Sequence, residues 1–371
     1  MKPAIIIFIT ITVLLTSCYK VYDPKTDTDE KVLMVNGMIT NKTDAYHILL
    51  SYAKSFNSVG TDRPVSGANV YVTDNLDISY IFHERGIGNY ISDSLQFTGH
   101  PGNTYRLHII TPDGAEYESD PQRLFPEVFP DSVYAEFDYQ EILERTTGLK
   151  VITHGANILT DIRNKADKLP RFRVTSNLVT QYFYLEGVIP KQYYCWKTDN
   201  ANPNINLTGG EYSEGSASIR KHTVCFLDDN LYCYALSYGF RYSEENSSNY
   251  IVTGVDYKSY MIHHRILYLN RYTLNNETYL YYKSLDEQMQ SEGKLFDPIA
   301  VQLNGNIICI TDPEKKAIGF FEASSVSYSA YIVDFRNLKN SQPSIIKTPY
   351  ILPPESKGCR INNAPSFWIF I

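Results

Sequence analysis

The residue with the clearest predicted chemistry is Cys18, near the amino end of the chain. It follows Leu15-Thr16-Ser17, and an aliphatic residue, two small residues and a cysteine form the pattern of a bacterial lipobox. In such a motif the thiol receives a diacylglyceryl group, the preceding residues are removed, and the new amine is acylated. Several acyl chains anchor a protein firmly, because each buried methylene contributes about 0.8 kcal/mol. The sequence therefore predicts lipidation of Cys18 and membrane attachment through that lipid.

The segment before Cys18 has the features of a secretory signal. Lys2 precedes an apolar run over residues 4–15, and small residues follow it. The run is too short for a membrane span, which needs about 20 apolar residues. We expect residues 1–17 to be a lipoprotein signal peptide and residues 18–31 to be a polar tether that lacks the apolar content to pack. The alternative is an ordinary signal peptide with a chance cysteine at its cleavage site.

Disulfide chemistry is expected next, because exported proteins meet oxidising compartments. Cys225 and Cys233 flank residues 226–232, and the sequence around them reads as two strands, 218–227 and 231–240, joined by the three-residue loop 228–230. Such a hairpin would place the two cysteines directly opposite each other. Cross-strand Cβ atoms lie about 4.5–5.5 Å apart, slightly wider than the usual disulfide spacing of about 3.5–4.5 Å. A small twist would close the bridge, so Cys225–Cys233 is a possible disulfide.

The pairing of the other cysteines stays open. Cys195 with Cys359 is a weaker candidate pair. Cys309 lies in the apolar run 307–310, which favours a buried free thiol.

The sequence predicts neither a metal site nor a catalytic set. His263 and His264 are adjacent, and neighbouring strand residues point to opposite faces, so they do not share an ion. The sequence contains no His-Glu-x-x-His, Cys-x-x-Cys or Gly-x-Ser-x-Gly motif and no phosphate-binding loop. Ser216 and Ser218 lie in a polar loop with only His222 nearby. We expect no cofactor and no catalytic residue.

Two aromatic stretches are candidate binding surfaces. Residues 192–196 and 279–282 are rich in tyrosine, and exposed rings can stack on sugars or on peptide side chains. Neither stretch carries a polar constellation that would define a ligand, so the binding residues and the ligand stay unknown. Strand or helix packing is the alternative interpretation of both.

Composition indicates a β-rich protein. The chain has 371 residues, a formal net charge of −7 and 31 tyrosines against 17 phenylalanines. Tyrosine, like valine, isoleucine and threonine, favours the pleated, half-buried surface of a sheet. The sequence has no basic stripe, so a nucleic-acid partner is not expected. The length is sufficient for two domains.

The pattern of strands and breakers predicts the division of the chain. Residues 32–120 read as about seven short strands, which is typical of an immunoglobulin-like β-sandwich. The stretch 65–119 also resembles the prealbumin-like β-sandwiches of carboxypeptidase-regulatory domains. Strand alternation places His108 on the outer face of that sandwich. Three prolines make residues 121–131 a linker. Residues 132–371 are predicted to form a larger β-rich domain.

One helix is expected within the second domain, at about residues 276–292. Apolar residues recur at helical spacing, every three or four positions, and we expect this stripe to pack against the core. The members of the stripe are Tyr279, Tyr282, Leu285 and Met289. Asn275 or Asn276 suits the N-cap, and Gly293 suits the C-terminal cap.

Short motifs along the chain resemble one known family. They include 35–37, 64–74, 194–196, 293–298 and 365–368. Together with the lipobox they resemble the Bacteroidota lipoproteins grouped as domain of unknown function 4249. The resemblance implies an outer-membrane or surface lipoprotein, often encoded beside a TonB-dependent transporter, and it implies no catalytic residues.

We therefore expect a non-enzymatic accessory or binding lipoprotein of the outer membrane, with a TonB-dependent β-barrel as a possible partner. The alternatives are an exported glycan or peptide hydrolase and a structural envelope protein. Related surface-exported lipoproteins tend to carry an acidic cluster directly after the lipidated cysteine, whereas here Lys20 and Val21 stand there. The sequence leaves open whether the protein faces the cell surface or the periplasm.

Overall fold

The computed structural model describes residues 31–53, 63–143, 148–163, 171–186, 191–201, 204–209, 218–228, 232–242, 251–290, 303 and 305–333. These residues form strands with a single helix among them, so the predicted mainly β class is confirmed. Residues 1–30, with Cys18, lie outside the described residues, as do Gly293 and Cys359. Among the described residues, no helix is both long and apolar enough to cross a bilayer.

Nine short strands come from the predicted sandwich and its linker. They are β1 (Leu33–Ile39), β2 (His47–Tyr52), β3 (Arg63–Pro64), β4 (Asn69–Asp74), β5 (Ser79–Gly86), β6 (Asn89–Ser92), β7 (Thr104–Ile110), β8 (Glu116–Ser119) and β9 (Gln122–Arg123).

The remaining strands are longer on average than these nine, and one helix lies among them in the chain. They are β10 (Ser132–Leu143), β11 (Lys150–Arg163), β12 (Arg171–Glu186), β13 (Lys191–Asn200), β14 (Asn206–Thr208), β15 (Ser218–Asp228), β16 (Tyr232–Tyr242), β17 (Ile251–Leu274), helix α1 (Asn276–Gln290), β18 (Ile307–Cys309), β19 (Ala317–Ala323) and β20 (Ser325–Val333).

The first sheet is one hydrogen-bonded path that encloses a single core. Its strand order is β18-β8-β7-β4-β5-β6-β2-β1-β19, with β3 beside β2 and β9 beside β7. Buried residues alternate with partly exposed ones along these strands, as in β7. The inward residues of all its long strands join one hydrophobic cluster. The sheet therefore folds over on itself, as the sandwich prediction requires.

Phe97 lies at the centre of this first core. Its ring stacks on Tyr80 at 4.1 Å and meets Tyr46, Phe82 and Tyr105 edge-on at 5.4, 6.2 and 5.9 Å. Aromatic pairs in these arrangements add about 0.5–1.5 kcal/mol beyond the area they bury. Tyr46, Tyr90 and Tyr105 are thus core residues whose hydroxyls have hydrogen-bond partners.

The strand pairing corrects the predicted extent of the second domain. Residues 307–323 were expected there, but β19 pairs in parallel with β1, and β18 pairs with β8. Asn306 secures this segment, because its side chain accepts from the Phe321 N–H and donates to the Phe321 carbonyl, both at 2.9 Å. Gly319 has a φ of +99°, and a Cβ there would overlap the Val35 carbonyl. A late segment of the chain therefore completes the first sheet.

The second region consists of two sheets that share a core. One has the order β10-β11-β15; the other has the order β13-β12-β17-β16, with β14 beside β12 and β20 beside β17. Ile158 and Leu227 of the smaller sheet lie in one cluster with Val174, Leu267 and Leu269 of the larger sheet. The two sheets thus pack face to face and form a second sandwich.

The predicted cysteine hairpin is wrong. β15, which carries Cys225, pairs with β11, whereas β16, which carries the Cys233 backbone, pairs with β17 in the other sheet. Cys225 is a buried free thiol, so no Cys225–Cys233 disulfide forms in this structure. Burial raises the pKa of Cys225 to about 12, which keeps the thiol protonated. Cys309 is also free and is only partly buried.

Helix α1 begins and packs largely as its sequence predicts. The Asn275 side chain accepts a hydrogen bond from the Thr278 N–H at 2.7 Å, so Asn275 is the N-cap. Tyr279 is buried, and Tyr282 and Leu285 are partly buried. Met289 is exposed, so the predicted packed stripe is wrong at its last member. Helix α1 therefore packs against the rest of the protein through its first half.

Candidate functional site

Gln122 holds the start of helix α1 against the first sheet. It lies in β9, within the predicted linker, and is fully buried. Its side-chain carbonyl accepts from the Asn275 amide at 2.6 Å and from the Thr278 hydroxyl at 3.1 Å, and its amide donates to Glu277 at 3.2 Å. One glutamine therefore satisfies the cap, the first turn and the first acidic residue of the helix.

A buried ion pair fixes the middle of the helix. Arg173 of β12 donates to both oxygens of Glu322 of β19 at 3.2 and 3.1 Å, and the Tyr282 hydroxyl donates to Glu322 at 2.6 Å. The Arg173 guanidinium also lies over the rings of Tyr272 and Tyr282, at 4.3 and 4.5 Å. Burial and the Glu322 charge raise the pKa of Tyr282. The cluster joins the helix, the first sheet and the second sandwich.

With the helix held in this way, a cleft of about 440 Å³ opens between it and the first sheet. We call this the helix cleft. Its lining combines apolar, amide and acidic side chains: Asp120, Glu277, Leu280, Tyr281, Ser284, Gln288, Leu303, Gly305, Asn306 and Phe320.

The helix cleft has an aromatic wall and a hydrogen-bonding rim. The Tyr281 ring stacks on Phe320 with centroids 4.5 Å apart and planes at 24°, and Leu280 is half exposed beside it. Asp120 and Glu277 bring two carboxylates to the same cleft. Flat apolar surface with a few polar groups is typical of small-ligand sites. The carboxylates favour neutral or cationic ligands that donate hydrogen bonds.

A second cleft of about 410 Å³ lies where β4 ends beside the start of β7 in the first sheet. We call this the His108 cleft. It is lined by Thr73, Asp74, Asn75, Asp77, Thr104, Tyr105, Arg106, His108 and Pro121. His108 lies on the outer face of β7, as the alternation predicts, although neighbouring side chains cover much of it.

His108 connects a hydroxyl to a carboxylate. Its Nε2 lies 2.9 Å from the Thr73 hydroxyl, its Nδ1 lies 3.2 Å from Glu118, and Arg106 donates to the other Glu118 oxygen at 2.9 Å. The imidazole stacks on Tyr71 at 4.7 Å. Burial lowers the pKa of His108, and the Glu118 charge opposes this shift in part. A neutral ring that donates through Nδ1 to Glu118 presents Nε2 as a base toward Thr73.

Comparison with known families identifies the chain. The sequence model of a family described as a domain of unknown function, DUF4249, matches residues 19–329.

The chain belongs to the DUF4249 family.

The comparison with curated proteins finds no match, and neither does the comparison with solved structures. Membership in DUF4249 confirms the family drawn from the sequence motifs; the lipoprotein character and the transporter association stay predictions. Both clefts lie within the matched residues, so they belong to the family's domain rather than to an added segment.

The two aromatic stretches of this DUF4249 chain lie in different environments. Residues 279–282 divide between the core and the helix cleft: Tyr279 is buried, whereas Tyr281 lines the cleft. In the stretch 192–196, Trp196 packs against Val179 and Ile266, and the other side chains lie outside the described residues.

The expected absence of a metal site stays a prediction. The described residues hold no group of three or more histidines, cysteines or acidic residues that could hold a metal ion. His263 and His264 have only their backbone described, in β17. The Gln122 and Arg173–Glu322 contacts were not predicted, because their partners lie more than a hundred residues away in sequence.

Proposed function

We propose that this protein is a lipid-anchored, non-enzymatic binding component of the outer membrane that works beside a TonB-dependent transporter. The helix cleft carries the proposal, since it offers a stacked aromatic pair and a polar rim on one open surface. The lipobox at Cys18 and the family resemblance support the location and the transporter partner. The cargo would be a neutral or cationic molecule with flat faces and hydrogen-bond donors, such as a glycan or a peptide.

The helix cleft is suited to binding because its walls are held rigidly. Gln122 fixes the first turn of the helix, and Glu322 fixes Tyr282 one residue beyond Tyr281. A preorganised aromatic wall loses little conformational entropy when it meets a ligand. The Tyr281 face is therefore the surface that we expect to contact cargo.

Binding is tested with glycan and peptide libraries on the purified protein. We expect Tyr281→Ala to weaken the binding of any captured ligand about two- to tenfold, because stacking of one ring contributes on the order of 0.5–1.5 kcal/mol. Tyr139→Ala is the matched control, since Tyr139 is an exposed tyrosine of β10 outside the cleft. Equal loss in both variants would contradict the helix cleft as the binding surface.

The anchor and the partner are tested in cells of the source bacterium. Cys18→Ser should move the protein from the outer-membrane fraction and remove its label from radioactive palmitate. A tagged wild-type protein, pulled down from solubilised outer membranes, should recover a β-barrel transporter; recovery of no barrel would count against the transporter role. Protease treatment of intact cells distinguishes the cell surface from the periplasmic face.

The two clefts also give a reason to test a second candidate function, an exported glycan or peptide hydrolase. Thr73, His108 and Glu118 form a hydroxyl–imidazole–carboxylate series, and two carboxylates line the helix cleft. Turnover of glycan or peptide pools that is lost in His108→Gln would support a hydroxyl-dependent hydrolase. Turnover lost in Asp120→Asn but kept in His108→Gln would assign it to the helix cleft. No turnover by the wild-type protein favours the binding role.

A further inference from the structure

Arg271 is the one large cationic side chain among the largest fully buried side chains of the described residues. It lies in β17, opposite Val174 of β12 and Ser327 of β20. Val174 belongs to the core shared by the two sheets of the second sandwich, so the Arg271 side chain is on the inward face. A guanidinium stays charged at every physiological pH, and buried charges are normally paired.

One complete edge of the Arg271 guanidinium lacks a partner. Its Nη1 donates to the Ser329 hydroxyl at 2.9 Å. Its Nε and Nη2 are both buried and have no hydrogen-bond partner. The N–H bonds of these two atoms point in the same direction, and together they form the fork that binds two oxygens of a carboxylate or phosphate.

Neighbouring positions on the same face carry more buried donors, and no acidic partner of Arg271 is found among the described residues. Thr273 and Ser325 lie opposite each other on β17 and β20, one step along the same face, and both hydroxyls are buried without a partner. His222, on the facing sheet, is held by Asn206 at 2.7 Å. Burial, and then the Arg271 charge, lower the pKa of His222 to about 4. The field at this place is therefore positive.

A contrast within the molecule shows that this fold can pair a buried arginine. Arg173 donates from Nη2 to both oxygens of Glu322, although its own Nε is buried without a hydrogen-bond partner. Arg271 is more deeply buried than Arg173, yet its Nη2 has no partner, whereas the Nη2 of Arg173 has a carboxylate. The missing element is a two-oxygen anion.

We propose that the second sandwich binds a small oxyanion, a carboxylate or a phosphate, on the Nε–Nη2 edge of Arg271. The two N–H groups bind two oxygens, and the Thr273 and Ser325 hydroxyls surround the anion. Because Arg271 is fully buried, the anion enters as the sandwich closes, and its binding is coupled to folding. This site is separate from both clefts and does not depend on the proposed cargo function.

Stability measured against anion concentration tests the site. The full chain in detergent is unfolded in chloride-only buffer to remove any co-purified anion, refolded in acetate, phosphate or chloride at matched ionic strength, and then melted in the same buffer. A ligand that binds only the folded state raises the melting temperature in proportion to the logarithm of its concentration. We expect this rise with acetate or phosphate and not with chloride, and the more effective of the two identifies the class of anion.

Variants decide whether Arg271 carries the effect. Arg271→Met should abolish the response, whereas Ser329→Ala, which keeps the free edge, should retain it. Arg271→Lys keeps the charge but loses the fork, so its half-maximal anion concentration should rise at least about tenfold. An equal response in wild type and Arg271→Met would overturn the proposal, as would a wild-type protein with no response beyond that in chloride. If Arg271→Met does not fold, Arg271→Lys against Ser329→Ala gives the same decision.

Discussion

The first sheet and the second sandwich treat their buried polar groups differently. In the strands of the first sheet, β1–β9, β18 and β19, no buried side-chain nitrogen or oxygen lacks a hydrogen-bond partner, whereas all such atoms of the described residues lie between residues 171 and 325. Tyr46, Tyr90 and Asn306 each complete their hydrogen bonds within the first core. Arg271 and Thr273 do not complete theirs in the second. The buried polar groups of the first region are hydrogen-bonded within the protein, whereas the second region has buried donors that could bind another molecule.

This difference has an energetic meaning. A buried donor without a partner costs about 1–3 kcal/mol, and more when it is charged. The second sandwich is therefore the part of the molecule where a ligand can contribute most to stability. Variants that remove internal contacts should separate the two regions, and the loss of stability should decrease from the first core to the cap of helix α1.

The largest loss is expected where the late segment enters the first core. Phe321 is fully buried in the cluster that contains β1 and β2. Phe321→Ala should lower the free energy of unfolding by about 3–5 kcal/mol, because it removes a whole ring and leaves a cavity. Chemical denaturation measures the change. Ile308→Ala in the neighbouring β18 is the control: that side chain is exposed, so a change within about 0.5 kcal/mol is expected.

The two buried arginines give the next test. Glu322→Gln leaves Arg173 without its counter-charge and should cost about 3 kcal/mol, as when one partner of a buried ion pair is removed. Arg271→Met, measured in chloride, removes a charge that has no carboxylate partner, so we expect no loss or a small gain in stability. Equal destabilisation by both variants would erase the contrast between the regions.

The pH dependence of stability tests the positive field in the second sandwich. Burial and Arg271 lower the folded-state pKa of His222 to about 4, below the unfolded value of about 6.5. As the pH falls, His222 therefore becomes protonated at a higher pH in the unfolded chain than in the folded protein. The lowered pKa of His222 makes its full contribution to the free energy of unfolding above pH 6.5. About 3 kcal/mol of this free energy is lost between pH 6.5 and pH 4.

Denaturation of wild type and His222→Gln across that range isolates this contribution, since the other titrating groups are common to both. The difference in stability between the two proteins should change by about 3 kcal/mol between pH 7 and pH 4. In an Arg271→Met background this pH-dependent difference should be smaller, because the Arg271 charge that helps to lower the pKa of His222 is absent. Parallel curves for wild type and His222→Gln would contradict the buried, neutral state of His222.

The smallest effect is expected at the start of helix α1. Asn275→Ala removes the N-cap hydrogen bond to Thr278 and the contact with Gln122, so about 1–2 kcal/mol should be lost. Asn275→Asp is the control, because aspartate caps equally well. Thermal unfolding measures both variants. A larger loss in Asn275→Asp than in Asn275→Ala would show that the contact with Gln122, rather than the cap, holds the helix.

Local patterns predicted the local structure well. The N-cap at Asn275, the outward side chain of His108 and the β class all follow from spacing and propensity, which act within a few residues. The failures concern partners that are distant in sequence. Cys225 and Cys233 read as a hairpin, yet their strands pair with β11 and β17, because sheet packing outweighs the preference of a short loop.

The candidate sites show the same limit. Alternation on β17 puts Arg271 in phase with Leu267 and Leu269, so a charge on an inward position was visible in the sequence. Nothing local indicated whether an acidic residue would meet it. Likewise Arg173 and Glu322 lie 149 residues apart, and a single sequence holds no sign that they pair.

The parallel pairing of β1 with β19 has a consequence for folding during synthesis of the chain. Residue 33 meets residue 317, so the N-terminal strand waits for almost the whole chain to emerge before one of its edges is covered. Such non-local pairing slows folding and prolongs the time for which a strand edge can join another molecule. A chain cut after residue 131 would carry that open edge permanently and should self-associate, as sedimentation can show.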